Sequence, residues 1–199
     1  ISMIKKRTFG SDLDISIKLN EILVNTSIFM GITPVMKHIP GHGLTSKDSH
    51  LSLPTVSSSL KILHNQLKLF QYFKHLPYAM TAHIKYEKWD KENMATYSKS
   101  IIQKIIRQKI KFRGLIMSDD MIMKANQYDI KQSIIKCNQS GVDIFLDCSS
   151  NWGRYLEVIQ SFKVTSRYKN SLKNKKAKGK VDLKSINIIQ YHDLYNELI

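Results

Sequence analysis

The 199-residue chain is long enough to bury a real core as one domain, and its 42% apolar content excludes a disordered composition. Thirty-one Lys and Arg against sixteen Asp and Glu give a net charge of +15. The basic residues are scattered, so the charge reads as a lysine-rich surface, and nucleic-acid binding is the remote alternative.

The elements follow in chain order. Residues 12–30 have helical spacing, with Ile15, Leu19, Ile22, Leu23 and Phe29 on one side, Asp12 or Ser11 as N-cap and Gly31 as the stop. A first short apolar run, "ITPVMKHI" (32–39), predicts a buried strand. Residues 57–75 predict a helix through Leu60, Leu63, Leu67 and Phe70, and "YAMTAHI" (78–84) a second strand. A helix over 97–110 carries Ile101, Ile102, Ile105 and Ile106, followed by a third strand in "GLIMSDD" (114–120). A helix over 127–140 stops at Gly141, and "VDIFLDC" (142–148) is the fourth strand.

Strand starts roughly 30–45 residues apart are the spacing of βα units. Three or four such units suit a doubly wound sheet or part of a (β/α)8 barrel, whose complete form needs ~250 residues. No GxGxxG or GxxxxGK[ST] is present, so a nucleotide loop is not supported. Every apolar run ends in polar chemistry: Lys37 and His38, then His83, then Asp119 and Asp120, then Asp147 and Cys148. Parallel strands bring those ends to one face, which is where barrel active sites are built. The fold expected is therefore α/β, a partial (β/α)8 barrel of about four units over 1–162. A basic segment with a terminal helix follows over 163–199. Residues 163–180 hold eight Lys or Arg and no acid, and read as a solvated helix or loop.

No apolar run approaches the ~18 residues of a membrane span, and no signal-peptide pattern opens the chain. Cys137 and Cys148 lack CxxC spacing and read as reduced and buried, in a cytoplasmic setting. The start at Ile1, with no obvious first element, reads as clipped.

The densest chemistry is "KHIPGHGLTSKDSH" (37–50). Asp48 lies two residues from His50, close enough to hold one imidazole tautomer and raise its basicity. Asp119, at a strand end, suits a nucleophile or an electrostatic stabiliser. Lys37 and His38 are donors for ligand oxygens. The His and carboxylate spacings match no standard zinc signature, so no metal is expected. His42 and Asp48 taken singly also suit plain loop hydrogen bonding.

Four segments resemble glycoside hydrolase family 3, in particular its β-N-acetylhexosaminidases of NagZ type. "KHIPGHGLTSKDSHLSLP" looks like the family's K-H-F-P-G-H-G…D-S-H…P loop. "KFRGLIMSDDMIM" (111–123) is similar to its G-x-I-x-S-D-D-L-x-M strand. "RTFGSD" (7–12) and "MTAHIKYEKWD" (80–90) resemble two further stretches in the same order. The resemblance covers residues 7–160. It implies that Asp119 is the nucleophile of a retaining glycosidase, in preference to Asp120, and that His50 is the acid/base residue with Asp48 as its partner. It implies that Arg7, Lys37 and His38 hold the sugar, and that His83 and Met121 line the pocket. No cofactor is implied. The substrates implied are N-acetylglucosamine-capped cell-wall muropeptide fragments in the bacterial cytoplasm.

The sequence departs from the family in length. The family domain runs to ~340 residues, and this chain is expected to correspond to the part after the fourth strand, without the front-half D-x-E-G-G segment. Three readings follow: a hydrolase acting alone, as a homodimer or with a separately encoded N-terminal half; a non-catalytic remnant; and, remotely, a nucleic-acid-binding protein.

Overall fold

The computed structural model describes residues 8–45, 49 and 51–173. Arg7, Asp48 and His50, and the terminal helix expected within 181–199, lie outside the described residues.

Helix α1 (Leu13–Phe29) starts where Asp12 accepts the Ile15 N–H at 2.9 Å, and Gly31 follows its end at φ 74°. Strand β1 (Val35–Ile39) leads to a two-residue strand β2 (Thr55–Val56). Helix α2 (Leu60–Tyr72), capped by Ser59, precedes β3 (Tyr78–Thr81) and a second two-residue strand, β4 (Lys85–Tyr86). A π-helix, Ile101–Lys109, then leads to β5 (Leu115–Met117). Its wide register is marked by Ile110 N–H donating to Ile105 O at 2.9 Å, five residues back. That winding buries Ile101, Ile102, Ile105 and Ile106 together with Arg107. Helices α3 (Ile130–Ser140), α4 (Trp152–Ser161) and α5 (Ser166–Lys173) complete the described chain. Gly141 ends α3 in the left-handed region at φ 93°, where a side chain is disfavoured.

Three strands pair in parallel in the order β1-β3-β5, with Val35 opposite Tyr78 and Tyr78 opposite Leu115. Strands β2 and β4 form a separate parallel pair. The fold is mixed α/β with parallel sheets, and the expected strand–helix alternation is present. Ile39, Ala79, Ile116, Leu63, Leu67 and Ile102 are among the core residues that the strands and helices bury together.

Two expectations change. The segment 142–148 runs parallel beside β5 through a Met117–Ile144 bridge, but it is not a regular strand. Side chains replace part of its ladder: Asp143 Oδ2 takes the Ile116 N–H and Ser118 Oγ takes the Leu146 N–H, both at 2.9 Å. Cys148 is exposed, because it lies past that bridge, while Cys137 is buried in α3. The apolar side of α1 is largely uncovered among the described residues, with Ile15, Leu23 and Phe29 all exposed. The helix turns Ser16 and Val24 inward instead.

A buried ion-pair node holds the opposite end of the sheet. Arg107 donates to Asp143 Oδ2 at 2.9 Å and to the carbonyls of Phe112 and Gly114. Asp143 Oδ1 receives the Thr165 hydroxyl, and Arg167 stands 3.6 Å away, tying the start of α5 to the sheet. Burial, with Arg167 nearby, lowers the pKa of Arg107 to about 10 even against its carboxylate partner.

Candidate active site

In a parallel sheet the carboxyl ends of the strands share one face. Here that face carries His38 at the end of β1, His83 just past β3 and Asp119 just past β5. The outer two reach across the middle strand: His38 Nε2 lies 3.6 Å from Asp119 Oδ2. Their side chains are 16% and 15% exposed, so the pair is largely enclosed yet still reaches solvent. Beyond it, His42 meets His38 edge-on at 5.7 Å between ring centroids, and its Nε2 is 3.4 Å from Ser49 Oγ.

The two adjacent aspartates have different partners. Asp119 Oδ1 accepts the Asp120 N–H at 2.9 Å, which leaves Oδ2 toward His38. Asp120 Oδ1 accepts the N–H groups of Ile122 and Cys148, so it ties together the exits of β5 and of segment 142–148. Desolvation and then the carboxylates of Asp120, Asp147 and Asp119 push the Cys148 thiol pKa up. Asp147 itself is held by Arg154, whose Nε and a terminal nitrogen donate to Oδ2 at 2.9 and 2.6 Å.

His83 is 1% exposed, and neither ring nitrogen has a hydrogen-bond partner among the described residues. Burial, opposed by the Asp119 charge and reinforced by His38, lowers its pKa to about 4. It is therefore a neutral imidazole at pH 7, placed beneath the His38–Asp119 pair. Met121 is 2% exposed, and its N–H donates to Leu146 O at 3.0 Å. Lys37 is exposed on β1, opposite Met80.

Of the residues singled out from sequence, His38, His83 and Asp119 thus come together, Met121 lies in the core and Lys37 is exposed at the end of the same strand as His38. Arg7, Asp48 and His50 lie outside the described residues. Sequence reasoning assigned no role to Ser118, whose hydroxyl holds Leu146, or to Tyr86, whose hydroxyl donates to the Gly41 carbonyl. Both stand inside the motifs quoted above, where a small hydroxyl or a lone tyrosine gives no pattern that distinguishes holding from filling.

The model of the glycosyl hydrolase family 3 N-terminal domain matches residues 1–178. A beta-hexosaminidase of Psychromonas ingrahamii is 30% identical over 190 residues, 89% of this chain and 55% of the relative. One from Hydrogenovibrio crunogenus is 34% identical over 152 residues, 74% of this chain and 42% of the relative. The chain thus spans about half the length of the curated relatives it matches. Among solved structures, NagZ from Neisseria gonorrhoeae in complex with N-trifluoroacetyl-D-glucosamine superposes with a TM-score of 0.75 at 27% identity. That match covers 85% of this chain and half of the other. CbsA from Thermotoga neapolitana superposes with a TM-score of 0.68 at 31% identity, covering 84% and 41%. With its parallel sheet, its ordered motifs and a family match over most of its length, the chain belongs to glycosyl hydrolase family 3, in the N-terminal domain of that family.

Proposed function

We propose that this chain carries the nucleophile half of a retaining β-N-acetylhexosaminidase acting on terminal N-acetylglucosaminides, with muropeptide fragments of the bacterial cell wall as substrates. One observation carries the reading: Asp119 stands at the carboxyl end of β5 with one oxygen 3.6 Å from His38 Nε2, on the face that a parallel sheet offers to a ligand. The motif resemblance and the family match support reading that aspartate as the nucleophile.

Asp119 Oδ2 attacks the anomeric carbon as the bond to the leaving group breaks, giving a covalent glycosyl-enzyme intermediate. His50, oriented by Asp48, supplies the proton that the leaving oxygen needs. In the second step His50 takes a proton from water, and that water displaces Asp119. Both transition states build positive charge on the sugar ring, which the carboxylate of Asp119 beside the anomeric carbon stabilises. His38, Lys37 and Arg7 hold the sugar, and His83 and Met121 form the floor. No step requires a metal or an organic cofactor.

The working partner is a carbohydrate in the cytoplasm. No described helix is long and apolar enough to cross a membrane. Further βα units would complete the sheet, from a second copy or from a separately encoded N-terminal half. The support for this is that β1 pairs only with β3 among the described residues and that Ile15, Leu23 and Phe29 of α1 are exposed. The remnant reading predicts sugar binding without turnover.

The test is hydrolysis of a chromogenic N-acetylglucosaminide by the purified chain and by its Asp119→Ala variant. Turnover that disappears in the variant supports the proposal. Turnover that survives it removes Asp119 from the mechanism, and no turnover by the parent at high protein concentration sinks the self-sufficient hydrolase.

A further inference from the structure

Strand β4 is two residues long, yet both ends of the connection between β1 and β2 rest on it. At the far end Lys85 N–H donates to Pro54 O at 2.9 Å and Glu87 N–H to Val56 O at 3.1 Å. At the near end the Tyr86 hydroxyl donates to the Gly41 carbonyl. Tyr86 is wholly buried, and its ring lies 5.2 Å from that of Trp89, which in turn stacks on His64. A ring enclosed in this way cannot turn its hydroxyl elsewhere without opening the core.

Gly41 passes the constraint on. Its N–H donates to His38 O at 2.8 Å, so one run of hydrogen bonds links Tyr86, Gly41 and His38, and His38 faces Asp119. The peptide is confined from the other side as well. Gly41 has φ 134°, and a Cβ placed on it would stand 2.5 Å from Gln66 Oε1. The positive φ is what favours glycine here, while Gln66 would have to move its side-chain end to admit a Cβ.

We propose that Tyr86 is a positioning residue for the candidate active site. Through Gly41 it fixes the 38–41 turn, and so sets where His38 stands relative to Asp119. The functional consequence rests on the hydrolase reading above; the structural one does not. Were Tyr86 only core filling, phenylalanine would serve equally well, since the ring supplies nearly all of the buried area. The hydroxyl matters because without it a buried carbonyl loses its donor, and the turn gains by rotating toward another.

Two measurements on the full chain test this. Hydrogen exchange in Tyr86→Phe should be about tenfold faster at the Gly41 amide, with the β3 and β5 amides within about twofold of the parent. Gly41→Ala, which disturbs the same turn from the Gln66 side, should show the same local pattern. In turnover of a chromogenic N-acetylglucosaminide, Tyr86→Phe should raise KM about five- to tenfold with kcat within about twofold, as expected for a displaced sugar-holding histidine. Unchanged Gly41 exchange in Tyr86→Phe overturns the proposal, and so does acceleration spread equally over β3 and β5. A parent chain without turnover overturns the hydrolase reading alone, and exchange then decides the role of Tyr86.

Discussion

Acidification tests the placement of His83. The ring is 1% exposed with both nitrogens unpartnered among the described residues, and its pKa falls from 6.5 to about 4. The folded pKa lies below the unfolded one, so as pH falls the unfolded chain takes up the proton first. The stability held by a neutral His83 is therefore fully present above pH 6.5 and is lost as pH falls toward 4. Linkage between those two values gives a loss of about 2 kcal/mol at pH 5 and about 3 kcal/mol at pH 4, relative to pH 7. Near pH 5 the slope is about 1.2 kcal/mol per pH unit. Carboxylates also titrate in this range, so the measurement is a difference. Urea unfolding of the parent and of His83→Gln, each at pH 7, 6, 5 and 4.5, isolates the histidine. The variant should be the less stable at pH 7 and should lose about 2 kcal/mol less than the parent between pH 7 and pH 5. Parallel curves for the two proteins would refute a neutral, buried His83. The same result would weaken its assignment to the floor of the site.

Asp119→Ala should lower hydrolysis by at least about a thousandfold, while urea midpoints stay near those of the parent, because the side chain is partly exposed. His38→Ala and Lys37→Ala should act mainly on KM, and a drop confined to kcat would move either residue out of sugar binding. Asp143→Ala should destabilise the chain by about 3–5 kcal/mol in denaturant titration, because it strands the buried Arg107 guanidinium. Replacing the pair by Asp143→Leu with Arg107→Met should recover only part of the loss, because the Ile116 N–H and the Phe112 and Gly114 carbonyls lose their partners, and full recovery would show that those hydrogen bonds contribute little.

The βα alternation was legible because buried parallel strands are short continuous apolar runs and the intervening helices show 3.6-residue spacing. The 101/102 and 105/106 isoleucine pairs marked an element correctly but not its winding. Apolar residues four and five apart suit an α-helix and a π-helix alike, and burial of Arg107 against Asp143 is a tertiary contact. Segment 142–148 read as a strand on composition, yet Asp143 and Ser118 fill ladder positions with side-chain atoms, and no local pattern announces that. Helix α1 makes the related point that periodicity shows an apolar side, not what stands against it.

The same division runs through the site. Residue types and order alone marked Lys37, His38, His83 and Asp119, because polar groups that end apolar strands share one face of a parallel sheet, and the two-residue spacing on a loop marked Asp48 and His50. Only the tertiary structure set Asp119 rather than Asp120 opposite His38, since that choice depends on which carboxylate is engaged by the neighbouring N–H groups of Ile122 and Cys148. Only it showed Tyr86 reaching Gly41 across 45 residues. Sequence spacing carries what the backbone repeats; contacts between distant segments come from packing, and packing is decided by the chain as a whole.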